Sequence, residues 1–327
     1  MEQNYNLSSL VSDFMVYAER NGLRVSKECA TQLFSALSAS KLLCFPKGKY
    51  YSLLSQMISG FFGNEFFADV VDENWKYSSN LFQDISSNET NFAKAMKCAV
   101  NNSAMVITAG LVNVDFSFMP YFEEMKKHIR APKVEFSYTI GSNEVVNKES
   151  FWIFAVENGF DKYSLPVDIG KYATIVVETN NAFVQNVENS FNQNPNLQIP
   201  IVLNSSPLTF LDFDEIIREA LSSHFIGFEQ WKKIDKLENY LNLLCGNKFD
   251  NVEIRQIERY LASALAIGAT EMEAIDFCLA YKILPVVGGY QKSMLNTLNV
   301  PLKKFVCDLF GQENLQNTLK TIEKLGL

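Results

Sequence analysis

The sequence has few histidines and no closely spaced cysteines, which excludes several kinds of site. It contains two histidines and six cysteines in 327 residues, and no two cysteines form a C-x-x-C pair. A structural zinc site needs four such ligands at short spacing, so we expect no metal site. Serine or cysteine catalysis needs a histidine beside the nucleophile, and neither His128 nor His224 lies in a recognisable motif of that kind.

Long apolar runs and excess positive charge are also missing. The longest uninterrupted apolar stretches, such as 151–156, fall far short of the roughly 18 residues that a membrane helix needs. The first ten residues lack the basic and apolar regions of a secretory signal, so we expect a cytoplasmic protein with no membrane partner. With 29 Lys and Arg against 37 Asp and Glu, the net charge of −8 gives no indication of nucleic-acid binding.

The first two thirds of the chain alternate short apolar runs with helical patterns. Continuous apolar strands separated by helices are typical of a parallel sheet with both faces covered. We therefore predict an α/β fold, a P-loop-NTPase-like parallel sheet of about five strands with helices on both faces and Leu42–Phe45 in a central position. The runs that predict strands are 42–45, 66–71, 105–107, 151–156 and 174–177.

The remaining third has only helical periodicity. Five segments carry apolar residues three and four positions apart, and glycines separate them. The segments are 213–221, 231–244, 251–267, 271–284 and 301–310. This change of pattern predicts two domains, an α/β domain over 1–210 and an all-helical domain over 211–327.

Three segments resemble one family, the AAA+ ATPases of the McrB-like and MoxR-like groups. Residues 37–45 are similar to the helix and strand that enter the phosphate loop, 113–122 to the stretch after the second acidic motif, and 274–288 to the helical lid. The resemblance implies an α/β domain that binds ATP or GTP with Mg²⁺, a lid that closes over it, and assembly into rings.

The groups that would hold the nucleotide are mostly replaced. A phosphate loop, G-x-x-x-x-G-K-[ST], uses backbone N–H groups around the phosphates, a lysine for their charge and a hydroxyl for Mg²⁺. Here Lys47, Gly48 and Lys49 are the candidate remnants, the first glycine is missing, and Tyr50 occupies the magnesium-ligand position. Pro46 has no N–H to donate, so this loop is a poor phosphate cradle.

The other family positions give a similar result. The resemblance places Ile107 and Thr108 on the Asp-Glu pair, and it places Asn158 on the polar sensor that follows the next strand. The arginine that precedes the fifth strand in the family is lost, because the matching residues here are Lys171-Tyr172-Ala173. At the position of the lid arginine the sequence has Val252, and Arg255 could take this role in a shifted alignment.

These losses favour a catalytically degenerate module that acts as a structural or regulatory interaction protein and binds no cofactor. The alternative is an active ATPase or GTPase motor of an McrB-like defence or remodelling complex, using Lys49, Asn158 and Arg255 in an unorthodox site. A third reading is a subunit of a larger defence or restriction-type assembly. We expect a homo-oligomer, or a hetero-oligomer with an active AAA+ subunit to which Arg130 could supply an arginine in trans.

Overall fold

The structure is a computed structural model that describes residues 5–84, 86–116, 118–157, 165–178, 182–183, 201–289 and 301–325. The strands are β1 (Leu23–Arg24), β2 (Leu42–Phe45), β3 (Phe67–Val70), β4 (Ile107–Val114), β5 (Ser137–Ile140), β6 (Asn143–Val146), β7 (Phe151–Glu157), β8 (Ala173–Ile175) and β9 (Ala182–Phe183). The helices are α1 (Leu7–Arg20), α2 (Lys27–Ala39), α3 (Lys49–Phe61), α4 (Asn91–Asn101), α5 (Lys126–Arg130), α6 (Val167–Gly170), α7 (Phe210–Ser223), α8 (Phe228–Cys245), α9 (Asn251–Ile267), α10 (Glu271–Cys278), α11 (Leu302–Phe310) and α12 (Gln316–Leu325).

Five strands form the main sheet in the order β3-β4-β7-β2-β8, and all of their pairings are parallel. The predicted α/β fold with a five-stranded parallel sheet is confirmed. Strand β2 lies inside the sheet, but the middle strand is β7, all of whose residues are buried. Two short antiparallel pairs, β1 with β9 and β5 with β6, lie outside this sheet.

Local sequence signals explain where several helices begin. Ser26 caps α2 by accepting a hydrogen bond from the Cys29 N–H, and Thr90 caps α4 through the Ala93 N–H. At Asp250, Thr209 and Thr270 the cap is reciprocal, because an acidic side chain three residues later accepts from the cap residue's own N–H. These caps fix the entry of the helices that cover the sheet.

Beyond Phe210, the described stretches 210–289 and 301–325 contain helices and no strand. Their apolar faces belong to the same hydrophobic core as the sheet. Phe213 of α7, for example, makes edge contacts with the rings of Phe62 and Trp152. No helix within the described ranges is long and apolar enough to cross a membrane. The division at residue 210 stays a prediction.

Candidate functional site

The carboxyl ends of β2, β4 and β7 lie along one edge of the sheet. Their register pairs Phe45 with Val156, and Val156 in turn with Val112, so the turns that follow these strands are neighbours. In open α/β sheets, ligands bind at this edge. It is therefore the place to test for a nucleotide site.

The turn between β2 and α3 is only three residues long, because β2 ends at Phe45 and α3 begins at Lys49. Lys47 and Lys49 are exposed, and Pro46 is buried. Gly48 has φ +150° and ψ 147°, a conformation that side-chain-bearing residues rarely adopt. The turn thus brings Lys47, Gly48 and Lys49 together, with a proline where further N–H donors would be needed.

The first two tyrosines of α3 are bonded to the segment that follows β8. The Tyr50 hydroxyl lies 3.2 Å from Glu178 Oε2 and 3.0 Å from the Arg24 carbonyl oxygen, and the Glu178 N–H donates to the Tyr51 hydroxyl at 3.1 Å. Burial, and the nearby Cys29 and Glu178, raise the Tyr50 pKa well above its usual range. Tyr50, at the position of the magnesium-binding hydroxyl, therefore stabilises the fold at this edge.

The structure corrects the placement of the second acidic motif. Ile107 and Thr108 lie at the amino end of β4, where they pair with Phe151 and Trp152, and the Thr108 hydroxyl is buried against that of Ser59. Their assignment to the Asp-Glu positions is wrong, because those positions belong at the carboxyl end of the strand. That end carries Asp115 instead.

On the carboxyl edge, the strands β4 and β7 are each followed by or end in a carboxylate. Asp115 is exposed and follows a bulge at Asn113, which has φ +66° although it is not glycine. Glu157 is the last residue of β7 and is buried. Carboxylates at this edge are the groups that could hold a cation beside a phosphate. Across the described residues, however, no three His, Cys, Asp or Glu side chains group closely enough to bind a metal ion.

The other predicted site residues are not gathered at this edge. Asn158 lies outside the described residues. Arg255 is exposed on α9 and lines a cavity with Lys41 and Trp152, which mark the amino ends of β2 and β7, so the structure separates it from the loop. Arg130 lines the same cavity, 3.4 Å from Asp250.

Two residues of the lid-like segment have structural partners. Asp276 accepts the N–H groups of Asn317 and Thr318 at 2.9 and 2.8 Å, which caps α12. Lys282 is buried, and its ammonium donates to the carbonyl oxygens of Lys171 and Ala173 and to Gln256. The segment that resembles a lid therefore holds the helical region against β8.

Sequence reasoning missed Glu178 at the carboxyl edge and the buried Lys41 at the amino edge, and the family resemblance gave Asp115 no role in the site. Glu178 follows the apolar run 174–177 directly, as Lys41 precedes the run 42–45. A charged residue adjoining a buried strand was the available signal, because such residues mark the ends of the sheet where sites form.

Comparisons with known proteins identify the fold. No protein family matches the chain, and no curated protein does. Among solved structures, a Cytophaga hutchinsonii protein described as a "putative ATPase" aligns with a TM-score of 0.58, over 96% of this chain and 94% of that one, at 10% sequence identity. At such identity the likeness shows fold alone. The chain therefore shares the fold of that protein, a parallel α/β sheet followed by a helical C-terminal region.

Proposed function

We propose that this chain is a catalytically degenerate AAA+-like module that acts as a structural or regulatory interaction protein. The observation that carries the proposal is the three-residue turn Pro46–Gly48 between β2 and α3. A phosphate loop works because several consecutive N–H groups curve around the phosphates. Three residues, one of them a proline, supply too few donors to do this.

The charge balance supports the same proposal. A bound triphosphate needs a magnesium ion and cationic side chains to compensate its charge. The hydroxyl that would bind magnesium is replaced by Tyr50, which is bonded to Glu178 and Arg24. Arg255, the candidate lid arginine, lies on the side of the sheet away from the loop. Among the described residues, a nucleotide at the turn would keep Lys47 and Lys49 as its nearby candidate cations.

The proposed partner is a second copy of the chain or an active AAA+ subunit. A module that keeps the fold but does not hydrolyse nucleotide can still act by binding other proteins. The proteins that an AAA+-like fold contacts are the neighbouring subunits of a ring. Arg130 could serve a neighbour's nucleotide, because its side chain is 58% exposed and its contact with Asp250 is a long surface pair that costs little to break.

The test is nucleotide hydrolysis by the purified chain, alone and mixed with an active AAA+ subunit that co-purifies with it. We expect the chain alone to hydrolyse ATP and GTP no faster than Lys49→Ala does. In the mixture, Arg130→Ala should lower the partner's rate if the arginine acts in trans, and Lys127→Ala is the matched control on the same helix. Hydrolysis by the chain alone that Lys49→Ala abolishes would contradict degeneracy.

One observation favours the alternative of an active ATPase or GTPase. Asp115 directly follows β4 at the edge of the sheet that carries Lys49. An active ATPase or GTPase needs a carboxylate at this edge to hold the magnesium ion. If the site is active, Asp115→Asn and Lys49→Ala should each abolish hydrolysis. Under the degenerate reading, neither changes the measured rate.

A further inference from the structure

A cavity of about 300 Å³ lies at the amino edge of the sheet, away from the loop Pro46–Gly48. Its apolar lining includes Trp152, Phe210 and Phe213, of which Phe210 is the most exposed. Lys133 and Arg255 are exposed and mark the side that is open to solvent. The volume is at the lower end of the range for small-molecule sites, and a mainly apolar wall with a few charged groups is their usual composition.

Lys41 places an amine inside this cavity. The residue is 8% exposed, and its Nζ lies 3.0 Å from the centroid of the Trp152 ring. Nζ also donates to the carbonyl oxygen of Glu149. Among the described residues no carboxylate lies within ion-pair distance of it. A buried amine with an aromatic face and a carbonyl, but no carboxylate in direct contact, still has the capacity to bind an anion.

Arg259 is a second basic residue of the cavity that makes no direct ion pair with a described residue. Its Nε donates to the Ser38 carbonyl oxygen at 2.5 Å, and no ion pair involves its guanidinium within the described part of the chain. Burial lowers the pKa of Arg259 below its usual value, although a guanidinium stays protonated near neutral pH. Its two terminal nitrogens form a fork that suits a carboxylate, sulfonate or phosphate.

The carboxylates that line the cavity already have partners. Asp214 pairs with Arg218 at 2.5 Å, and Glu149 pairs with Lys133 at 3.5 Å. Arg255, like Lys41 and Arg259, has no ion pair among the residues that the structure describes. The cavity therefore combines an aromatic wall with more basic than acidic side chains, five against two.

We infer that this cavity binds a small organic anion, with its acidic group between Lys41 and Arg259 and its apolar body against Trp152, Phe210 and Phe213. The aromatic rings favour a flat apolar body, because such a body can stack on them. The binding site is separate from the loop at the opposite edge of the sheet, so it does not depend on whether that loop binds nucleotide.

The amine of Lys41 is also suited to respond to an anion. Burial lowers its pKa well below the usual range, with Arg259 and Lys133 acting in the same direction and Glu149 and Asp214 opposing them. An anion beside Nζ stabilises the protonated amine and raises that pKa. Binding restores a charge that burial disfavours when the cavity is empty.

Two fluorescent dyes of similar shape test the inference. The anionic probe is 8-anilinonaphthalene-1-sulfonate, and the neutral control is N-phenyl-1-naphthylamine, which lacks the sulfonate. We expect the wild-type chain to bind the anionic dye saturably at one site. Because each charge-assisted hydrogen bond contributes substantially, Lys41→Met and Arg259→Met should each weaken binding by about tenfold or more. Binding of the neutral dye should change little.

Further variants separate this site from other apolar surfaces and from misfolding. Arg259→Lys keeps a cation and should retain most of the binding. Phe228→Ala alters an exposed aromatic of the groove lined by Trp231 and should have no effect. Melting curves identify any variant that fails to fold. Unchanged dye binding in both Lys41→Met and Arg259→Met, equal losses for the two dyes, or the absence of saturable binding would each overturn the inference.

Discussion

Gly48 combines a backbone requirement with a position in the candidate site. Its φ of +150° lies outside the range that L-residues readily adopt, and a Cβ there would meet nothing closer than Tyr51 Cδ2 at 3.6 Å. A side chain at Gly48 would therefore cause backbone strain without a steric clash. The residue forms the tight connection from β2 to α3 whether or not a phosphate binds there.

We expect Gly48→Ala to lower the free energy of unfolding by about 1–3 kcal/mol, the usual cost of a residue in a glycine-only conformation. Urea denaturation measures the change. Gly227→Ala is the control, because Gly227 has φ −63° and a Cβ there would approach Glu271 Oε1, the end of a surface side chain, at 3.3 Å; it should lower stability by no more than about 0.5 kcal/mol. Equal losses of stability in the two variants would contradict the claim that a side chain at position 48 strains the backbone.

His128 is a buried residue whose charge state links stability to pH. Its Nε2 lies 3.2 Å from the Phe151 carbonyl oxygen and its Nδ1 lies 3.4 Å from the Asn147 amide, which together fit a neutral ring that donates through Nε2. Burial, assisted by the nearby Lys41, lowers the pKa of His128 from 6.5 to about 3. Between these values the unfolded chain binds the proton and the folded chain does not.

The stability that neutral His128 contributes is therefore complete above pH 6.5 and is lost as the pH falls toward 3. Within that window a single such group gives a slope of up to about 1.4 kcal/mol per pH unit. We expect His128→Gln to remove this slope when unfolding free energies of the two proteins are compared by urea denaturation from pH 8 to pH 4. Parallel curves for the two proteins would show that His128 does not titrate in this way.

At the scale of elements, Asp276 connects α10 to α12. It caps α12 through two N–H groups and also accepts from the Asn317 side chain, whose oxygen receives a hydrogen bond from Tyr281. Asp276→Ala leaves these buried donors without their acceptor. The resulting loss should combine the cost of a missing cap with that of unsatisfied hydrogen bonds.

We expect Asp276→Ala to lower the free energy of unfolding by at least about 2 kcal/mol. Asp276→Asn keeps one oxygen acceptor and should lose clearly less. Thermal or urea unfolding distinguishes the two variants. A loss below about 0.5 kcal/mol for the alanine variant would mean that α12 is held by its apolar face alone.

The extent of β4 shows why some elements could not be predicted from sequence. The sequence predicts a strand that ends at Ile107, because Thr108, Gly110 and Asn113 interrupt the apolar pattern, yet the strand continues to Val114. Thr108 is satisfied by the Ser59 hydroxyl, and Gly110 leaves space for the Phe66 ring, which a Cβ would approach to 2.2 Å. Both contacts are with residues distant in sequence, so the local pattern around β4 does not predict them.

At the scale of the whole molecule, apolar periodicity predicted the fold better than the site. Continuous apolar runs such as 151–156 require two covered faces, so the parallel sheet followed from them directly. The position of Arg255 could not be predicted from the sequence. Helical periodicity predicts which face of α9 is buried, but not which edge of the sheet the start of α9 lies against. The cavity at Lys41 unites 37–41, 130–134, 149–152, 210–217 and 252–259, which no local pattern connects.

The central claim is that the turn Pro46–Gly48 has lost nucleotide binding, and the melting temperature of the intact chain in Mg·ATP or Mg·GTP tests it most directly. A ligand at 100 times its dissociation constant stabilises a protein by about 2.7 kcal/mol, a shift that is easily measured. We predict no saturable, magnesium-dependent shift for either nucleotide up to about 1 mM, and the same melting curve for Lys49→Ala. A saturable, magnesium-dependent rise at micromolar nucleotide that Lys49→Ala abolishes would contradict the account.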